Sequence, residues 1–147
     1  MIKVESLKEY KKILSKEDFE VLANKIFMIT KYLVLEYSGY KRWYFEKQLK
    51  NIGSIEREIL FVRNKEKLDE IIAVACLKKT TLEKKICTLY VVENFRSMGI
   101  GSALLSESFK FLGTTTPLIT FADYKLKFFE PFIKKYNWKL VQVIDKG

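Results

Sequence analysis

Histidine is absent from this 147-residue chain. That excludes a Ser-His-Asp hydrolase, a Cys-His protease, an HExxH metalloprotease and every His-ligated zinc site. Cysteine is scarce. Cys76 and Cys87 are the whole supply, too few for a four-ligand zinc site or a disulfide framework, so no metal is expected. With 6 glycines and 2 prolines, the chain lies far from low-complexity or disordered compositions. Arginine is sparse too: of 27 basic residues only Arg42, Arg57, Arg63 and Arg96 are arginines, whereas dedicated phosphate or base readout leans on that side chain. The longest apolar-looking stretch, Ile26 to Tyr37, is broken by Lys31 and Glu36 and is too short to cross a bilayer. The opening MIKVESLKEYKK has no apolar core of the kind a secretory signal needs. The expected location is cytoplasmic, with both thiols reduced and no membrane as partner.

What the chain does have is core material. Hydrophobic residues make up 48% and aromatics 14%, and the length fits one domain over residues 1–147. The formal charge of +9 is spread over lysines that come singly or in pairs. This reads first as a solvated, Lys-rich surface, with nucleic acid, an anionic membrane or an anionic cofactor as the alternatives.

Periodicity predicts an order of elements. Residues 2–7 can form a short strand. Ser15 can cap a helix over 16–37, in which Phe19, Leu22, Ile26, Ile29 and Leu33 share one face. Ser38-Gly39 ends it, and a second helix over 40–51 would bury Phe45, Leu49 and Ile52, with Gly53 just past its end. Three strand-like runs follow, Glu58–Arg63, Ile71–Leu77 and Ile86–Val92, joined by short polar links that favour antiparallel hairpins. A second hairpin centred on residues 81 and 82 would set Cys76 opposite Cys87 as two buried thiols. Ile100, Leu104, Ser108 and Phe111 then mark a helix ending at Gly113. Residues 117–122 read as a strand. Leu126, Phe129, Phe132, Ile133 and Tyr136 mark a last helix that Pro131 must kink or enter in its first turn, and residues 140–144 read as a closing strand. The class is mixed α/β of the α+β type.

The stretch that carries chemistry runs from Leu89 to Leu105. A strand ends near Val92, a tight loop holds Arg96, Ser97, Met98, Gly99, Ile100 and Gly101, and a helix starts at once through Ser102. Consecutive loop amides and an unpaired helix N-terminus suit a pyrophosphate, glycine lets the phosphate approach, and Arg96 adds a cation at the mouth. A dinucleotide fingerprint would need glycine or alanine where Leu104 stands, although Asp123 lies at the appropriate distance. A Walker A loop is excluded because no GK[ST] follows. A plain connecting turn remains the bland alternative.

The segment Arg96-Ser97-Met98-Gly99-Ile100-Gly101 closely resembles the acetyl-CoA motif of the GCN5-related N-acetyltransferases, Arg/Gln-x-x-Gly-x-Gly/Ala. Leu89, Val91 and Phe95 fit its upstream strand and loop, Phe132-Ile-Lys-Lys-Tyr-Asn-Trp138 resembles the family's FYxxxGF segment, and the order of elements matches over nearly the whole chain. The resemblance implies the GNAT fold: a mixed, mostly antiparallel central sheet splayed at the motif strand, with helices on both faces. It implies acetyl-CoA as co-substrate, its pyrophosphate on the amides from Ser97 to Ser102 and its pantetheine arm along Leu89, Tyr90 and Val91. The Val91 amide would stabilise the developing oxyanion while a primary amine attacks directly.

Departures from the family pattern shift the remaining roles. The general-acid tyrosine of FYxxxGF is Ile133 here, which makes Tyr124 the substitute, and Asp123 could bind or deprotonate the amine. Without that tyrosine, a non-catalytic acyl-CoA-binding or partner-binding module is the runner-up reading. The run Tyr37–Phe45, aromatic and carrying Lys41 and Arg42, either anchors a short helix or stacks on nucleobases. The second option leaves an aminoacyl-tRNA acceptor open, as in the toxin-like enzymes of the family. A protein acceptor and a homodimer also stay open. The basic surface disfavours polycationic acceptors.

Overall fold

Ser6 and Ser15 begin two helices by the same device. Each hydroxyl accepts from the amide three residues on, Glu9 at 3.2 Å and Asp18 at 3.1 Å, which satisfies one otherwise unpaired donor of the first turn. The computed structural model describes residues 2–31, 38–121 and 125–139. The expected closing strand at 140–144, residues 32–37 of the second helix, and both Asp123 and Tyr124 lie outside them.

Strand β1 is only Glu5–Ser6, shorter than the expected 2–7, because Ser6 caps α1 (Leu7–Ile13). That short helix was not predicted, since its only buried residue is Leu7 and no apolar stripe announces it. Helix α2 covers Lys16–Thr30 and buries Leu22, Ala23, Ile26 and Phe27. Helix α3 (Tyr40–Trp43) runs directly into a π-helical stretch, Tyr44–Leu49. The wider turn changes the phase of the buried face. Tyr40, Tyr44, Gln48 and Ile52 are the buried residues, whereas the expected Phe45 and Leu49 are only half-buried.

Strands β2 (Arg57–Asn64), β3 (Lys67–Lys79) and β4 (Lys84–Val91) form antiparallel hairpins, and β5 (Leu118–Ile119) pairs with β4 in parallel. The sheet order is β1-β2-β3-β4-β5. A 3₁₀ turn at Glu93–Phe95 leads to α4 (Ile100–Leu112), and α5 spans Leu126–Lys135 with Pro131 in its second turn rather than its first. In α5, Phe129 is buried and Leu126 is exposed.

Two apolar layers sandwich the sheet. Phe61, Val74 and Cys76 meet α1, α2 and α3 on one face, while Leu60, Ala75, Leu77 and Val91 meet α4 on the other. The tyrosines expected as helix anchors behave so: Tyr44 donates to the Ala23 carbonyl at 2.8 Å and Tyr40 to Thr30 Oγ1 at 2.9 Å. Neither buried ring is available for stacking on a base. Gln48, fully buried, clamps the π-helical stretch to the sheet: its Nε2 donates to the carbonyls of Glu58 (2.8 Å) and Leu77 (3.1 Å), and its Oε1 accepts from Arg57 (2.8 Å).

Candidate active site

The β3–β4 ladder keeps one register from Ala73↔Val91 to Cys76↔Thr88 and then shifts to Leu77↔Ile86. Cys87 is therefore an extra residue on β4, a β-bulge. It overturns the expected Cys76–Cys87 pairing, because the hairpin is centred where predicted but the bulge displaces everything beyond it by one position. A bulge bends its strand and increases local twist. The consequence appears on the other side of β4, where pairing with β5 is confined to Lys85↔Leu118 and Ile86↔Ile119. From Cys87 to Val91 this edge has no strand partner among the described residues.

Main-chain direction along that edge follows from the ladder. The Val92 amide donates to the Ile72 carbonyl at 2.8 Å. Alternation in an antiparallel pair then turns the polar groups of Tyr90 toward β3 and those of Leu89 and Val91 away, into the gap. The Val91 carbonyl accepts there from Arg96 Nε at 2.9 Å. Arg96, the cation expected at the mouth of the loop, is exposed and also makes contacts of its own. Its guanidinium lies back along the strand, 5.6 Å from the Tyr90 ring and 5.2 Å from the Phe128 ring, linking β4 to α5.

The loop beyond Arg96 is conformationally specialised. Ser97 has φ +66° and Gly99 φ +83°, both left-handed, and Gly99 precedes α4 without a side-chain cap. Among the described residues, the amides from Ser97 to Ser102 have no acceptor, and internal bonding begins with Ala103 to the Gly99 carbonyl at 3.1 Å. Alternating left- and right-handed residues before a helix start make a concave nest of donors for an anion. Ser97, Met98 and Gly99 are exposed, Gly101 and Ser102 are half-buried, and Ile100 is turned into the core. The two glycines serve different ends. A Cβ on Gly99 would meet only Ile2 Cδ1, at 3.7 Å, whereas one on Gly101 would lie 2.7 Å from Phe132 Cζ. Gly101 lets α5 seat against the first turn of α4.

Where β4 and β5 part, a cleft of about 300 Å³ opens. Gly39, Tyr40 and Trp43 wall one side, with Lys85, Cys87 and Thr88 of β4 and Thr120 after β5 on the other. Sequence reasoning missed this lining, because the bulge that brings Cys87 and Thr88 to it leaves no signature in apolar alternation. Burial pushes the Cys87 thiol up, with Lys85, Arg57 and Lys78 opposing, so the neutral thiol is a poor nucleophile. Burial also raises the Tyr40 hydroxyl well above its usual range. A second hollow of about 320 Å³ is lined by Thr81, Leu82, Glu83, Lys84, Gly113, Thr114 and Thr116.

The family model described as Acetyltransferase (GNAT) family matches residues 26–115. The chain belongs to that family. The GNAT match covers α3, the bulged strand, the loop and α4 together. Among solved structures, the GNAT chain is similar to the aminoglycoside acetyltransferase meta-AAC0020 from an uncultured soil metagenomic sample, at 15% identity and TM-score 0.59, covering 98% of this chain and 93% of that one. YhhK from E. coli, solved bound to coenzyme A, is 17% identical with TM-score 0.59, covering 97% and 94%. A Clostridium acetobutylicum protein solved with acetyl-CoA is 14% identical with TM-score 0.58, covering 100% and 94%. At these identities the likeness is one of fold. No curated protein matches the sequence. Among the described residues no helix is long and apolar enough to cross a membrane. Ile133 is half-buried.

Proposed function

We propose that residues 1–147 form one acetyltransferase domain that moves an acetyl group from acetyl-CoA to a primary amine by direct attack. One observation carries the reading. A nest of amides (Ser97 to Ser102) without acceptors among the described residues opens onto the edge of β4 beyond its pairing with β5, at Leu89 and Val91, and that edge leads to a cleft. This arrangement fits the parts of coenzyme A in order. The nest, with Arg96, Met98, Gly99, Ile100 and Gly101 shaping it, takes the diphosphate through main-chain donors and the helix dipole. Leu89 offers its outward amide and carbonyl to the pantetheine arm, as an added strand would, Val91 offers its amide, and the Tyr90 ring packs beside the arm. Bound acetyl-CoA supplies an activated thioester. The Val91 amide, aimed into the gap, then meets the charge that develops on its carbonyl oxygen. Asp123 and Tyr124 follow the end of β5 in the chain and take the roles of amine ligand or base and of acid for the departing thiol. Proximity contributes heavily, because a thioester already reacts with a free amine once both are held together.

A thiol-release assay against amines, including an aminoacyl-tRNA, tests the reading alongside calorimetric titration with coenzyme A. Saturable turnover on at least one amine is expected. Tight coenzyme binding with no turnover on any acceptor would favour the non-catalytic module, which is supported by Ile133, where the family resemblance leads one to expect tyrosine.

A further inference from the structure

Charge is unevenly placed around the cleft. Register sets Arg57, Lys78 and Lys85 side by side across β2, β3 and β4, on the face carrying α3. Arg57 is held by Gln48 Oε1 at 2.8 Å, and Lys78 pairs with Glu83 at 3.0 Å. Lys85 lines the cleft, is half-buried, and has no ion-pair partner among the described residues. The charges that act on the neighbouring Cys87 thiol are Lys85, Arg57, Lys78 and Glu83, three cations to one carboxylate. No carboxylate lines the cleft among the described residues, and its opposite wall is the Trp43 indole beside Tyr40.

Resting on the acyl-transfer reading, we infer that the cleft selects an amine whose far end carries an anionic group, a carboxylate or a phosphate, with Lys85 as its counter-charge and Trp43 against its apolar body. A half-buried ammonium with no ion pair among the described residues, its acidic neighbour Glu83 being already bridged to Lys78, gains from an anion, and it repels a second cation on the acceptor. A polyamine or aminoglycoside, which needs several carboxylates, meets the opposite sign among the described residues of the cleft. In the reaction itself the neutral amine forms the C–N bond as the C–S bond breaks, and the proton that the nitrogen loses leaves with coenzyme A as thiol.

Matched acceptors test this with little change in amine basicity. Para-(aminomethyl)benzoate is set against para-(aminomethyl)benzamide and para-xylylenediamine, and O-phosphotyramine against tyramine, in the full-length protein with acetyl-CoA. The anionic member of each set is expected to show kcat/KM about tenfold higher, mainly through KM, and the faster of the two anions identifies carboxylate or phosphate as the source. Lys85→Glu should abolish that preference while leaving the Kd for coenzyme A unchanged, and Lys85→Arg should retain it. Ligand-observed NMR gives a second readout: line broadening of para-(aminomethyl)benzoate that disappears in Lys85→Glu. Turnover that favours the amide or the diamine, or a preference untouched by Lys85→Glu, overturns this inference and leaves the acyl-transfer reading standing. Absence of coenzyme A binding, or turnover on no amine, overturns the reading and this inference with it.

Discussion

Gly101→Val makes the sharpest structural test. A Cβ at this position would stand 2.7 Å from Phe132 Cζ, where ordinary contact begins near 3.4 Å. Either the Phe132 ring swings away from its apolar cluster or α4 and α5 separate by several tenths of an ångström. Overpacking of this kind costs about 1–3 kcal/mol, and valine recovers little of it as a helix former. We expect a loss of about 2 kcal/mol, read as a fall in Tm of roughly 4–8 °C for a chain of this size. The assay is thermal and urea unfolding of four proteins: the parent, Gly101→Val, Phe132→Ala and the double variant. Because the clash needs both side chains, the valine should cost much less in the Phe132→Ala background, giving a coupling of about 1–2 kcal/mol. Equal cost in both backgrounds, or a cost below about 0.5 kcal/mol in the parent, would refute the packing explanation for this glycine.

Three further outcomes follow from the same geometry. Gly99→Asp should leave the fold within about 1 kcal/mol of the parent, since the site is open and aspartate tolerates a left-handed φ better than most residues. It should weaken coenzyme A at least about tenfold by calorimetry, because a carboxylate would stand in the amide nest. Glu58 is buried at the start of α1, accepting from Ser6 Oγ (2.7 Å), the Lys8 amide (3.1 Å) and the Ile59 amide (2.9 Å), and burial outweighs these bonds to raise its pKa. A raised folded pKa means that its stabilising contribution is complete below the unfolded value and is lost as pH rises through the folded one. The Tm of the parent minus that of Glu58→Gln should therefore fall as pH rises through the carboxylate range; a flat or rising difference would contradict it. Gln48→Leu should cost about 1–2 kcal/mol in urea unfolding through three lost hydrogen bonds. It should also raise the acceptor KM by loosening the Trp43 wall, and unchanged stability would count against the clamp.

Much of this fold is written in local patterns. The α2 stripe with its Ser15 cap, the β2–β3–β4 hairpins and the loop into α4 all follow from periodicity and turn chemistry. The features that sequence reasoning misplaced depend on single-residue insertions or on distant contacts. The π turn shifts the buried face of residues 40–49 from Phe45 and Leu49 to Tyr40, Tyr44 and Gln48, and the bulge at Cys87 breaks the Cys76 pairing. Neither alters the apolar count of its segment, so pattern alone does not reveal them. The site divides in the same way. The loop from Arg96 to Ser102 was legible as a turn because its glycines precede a helical stripe. That Arg96 folds back onto Val91, that Gly101 exists for Phe132, and that Lys85 faces a cleft all require contacts between elements far apart in the chain.

Titration of uniformly ¹⁵N-labelled protein with coenzyme A, followed amide by amide, puts the nest to the most direct test. The largest shifts should fall on Ser97 through Ser102 and on Leu89 and Val91, saturating together at one Kd. Saturable binding that leaves those amides unmoved, or that shifts Thr81–Lys84 and Gly113–Thr116 instead, would contradict the account.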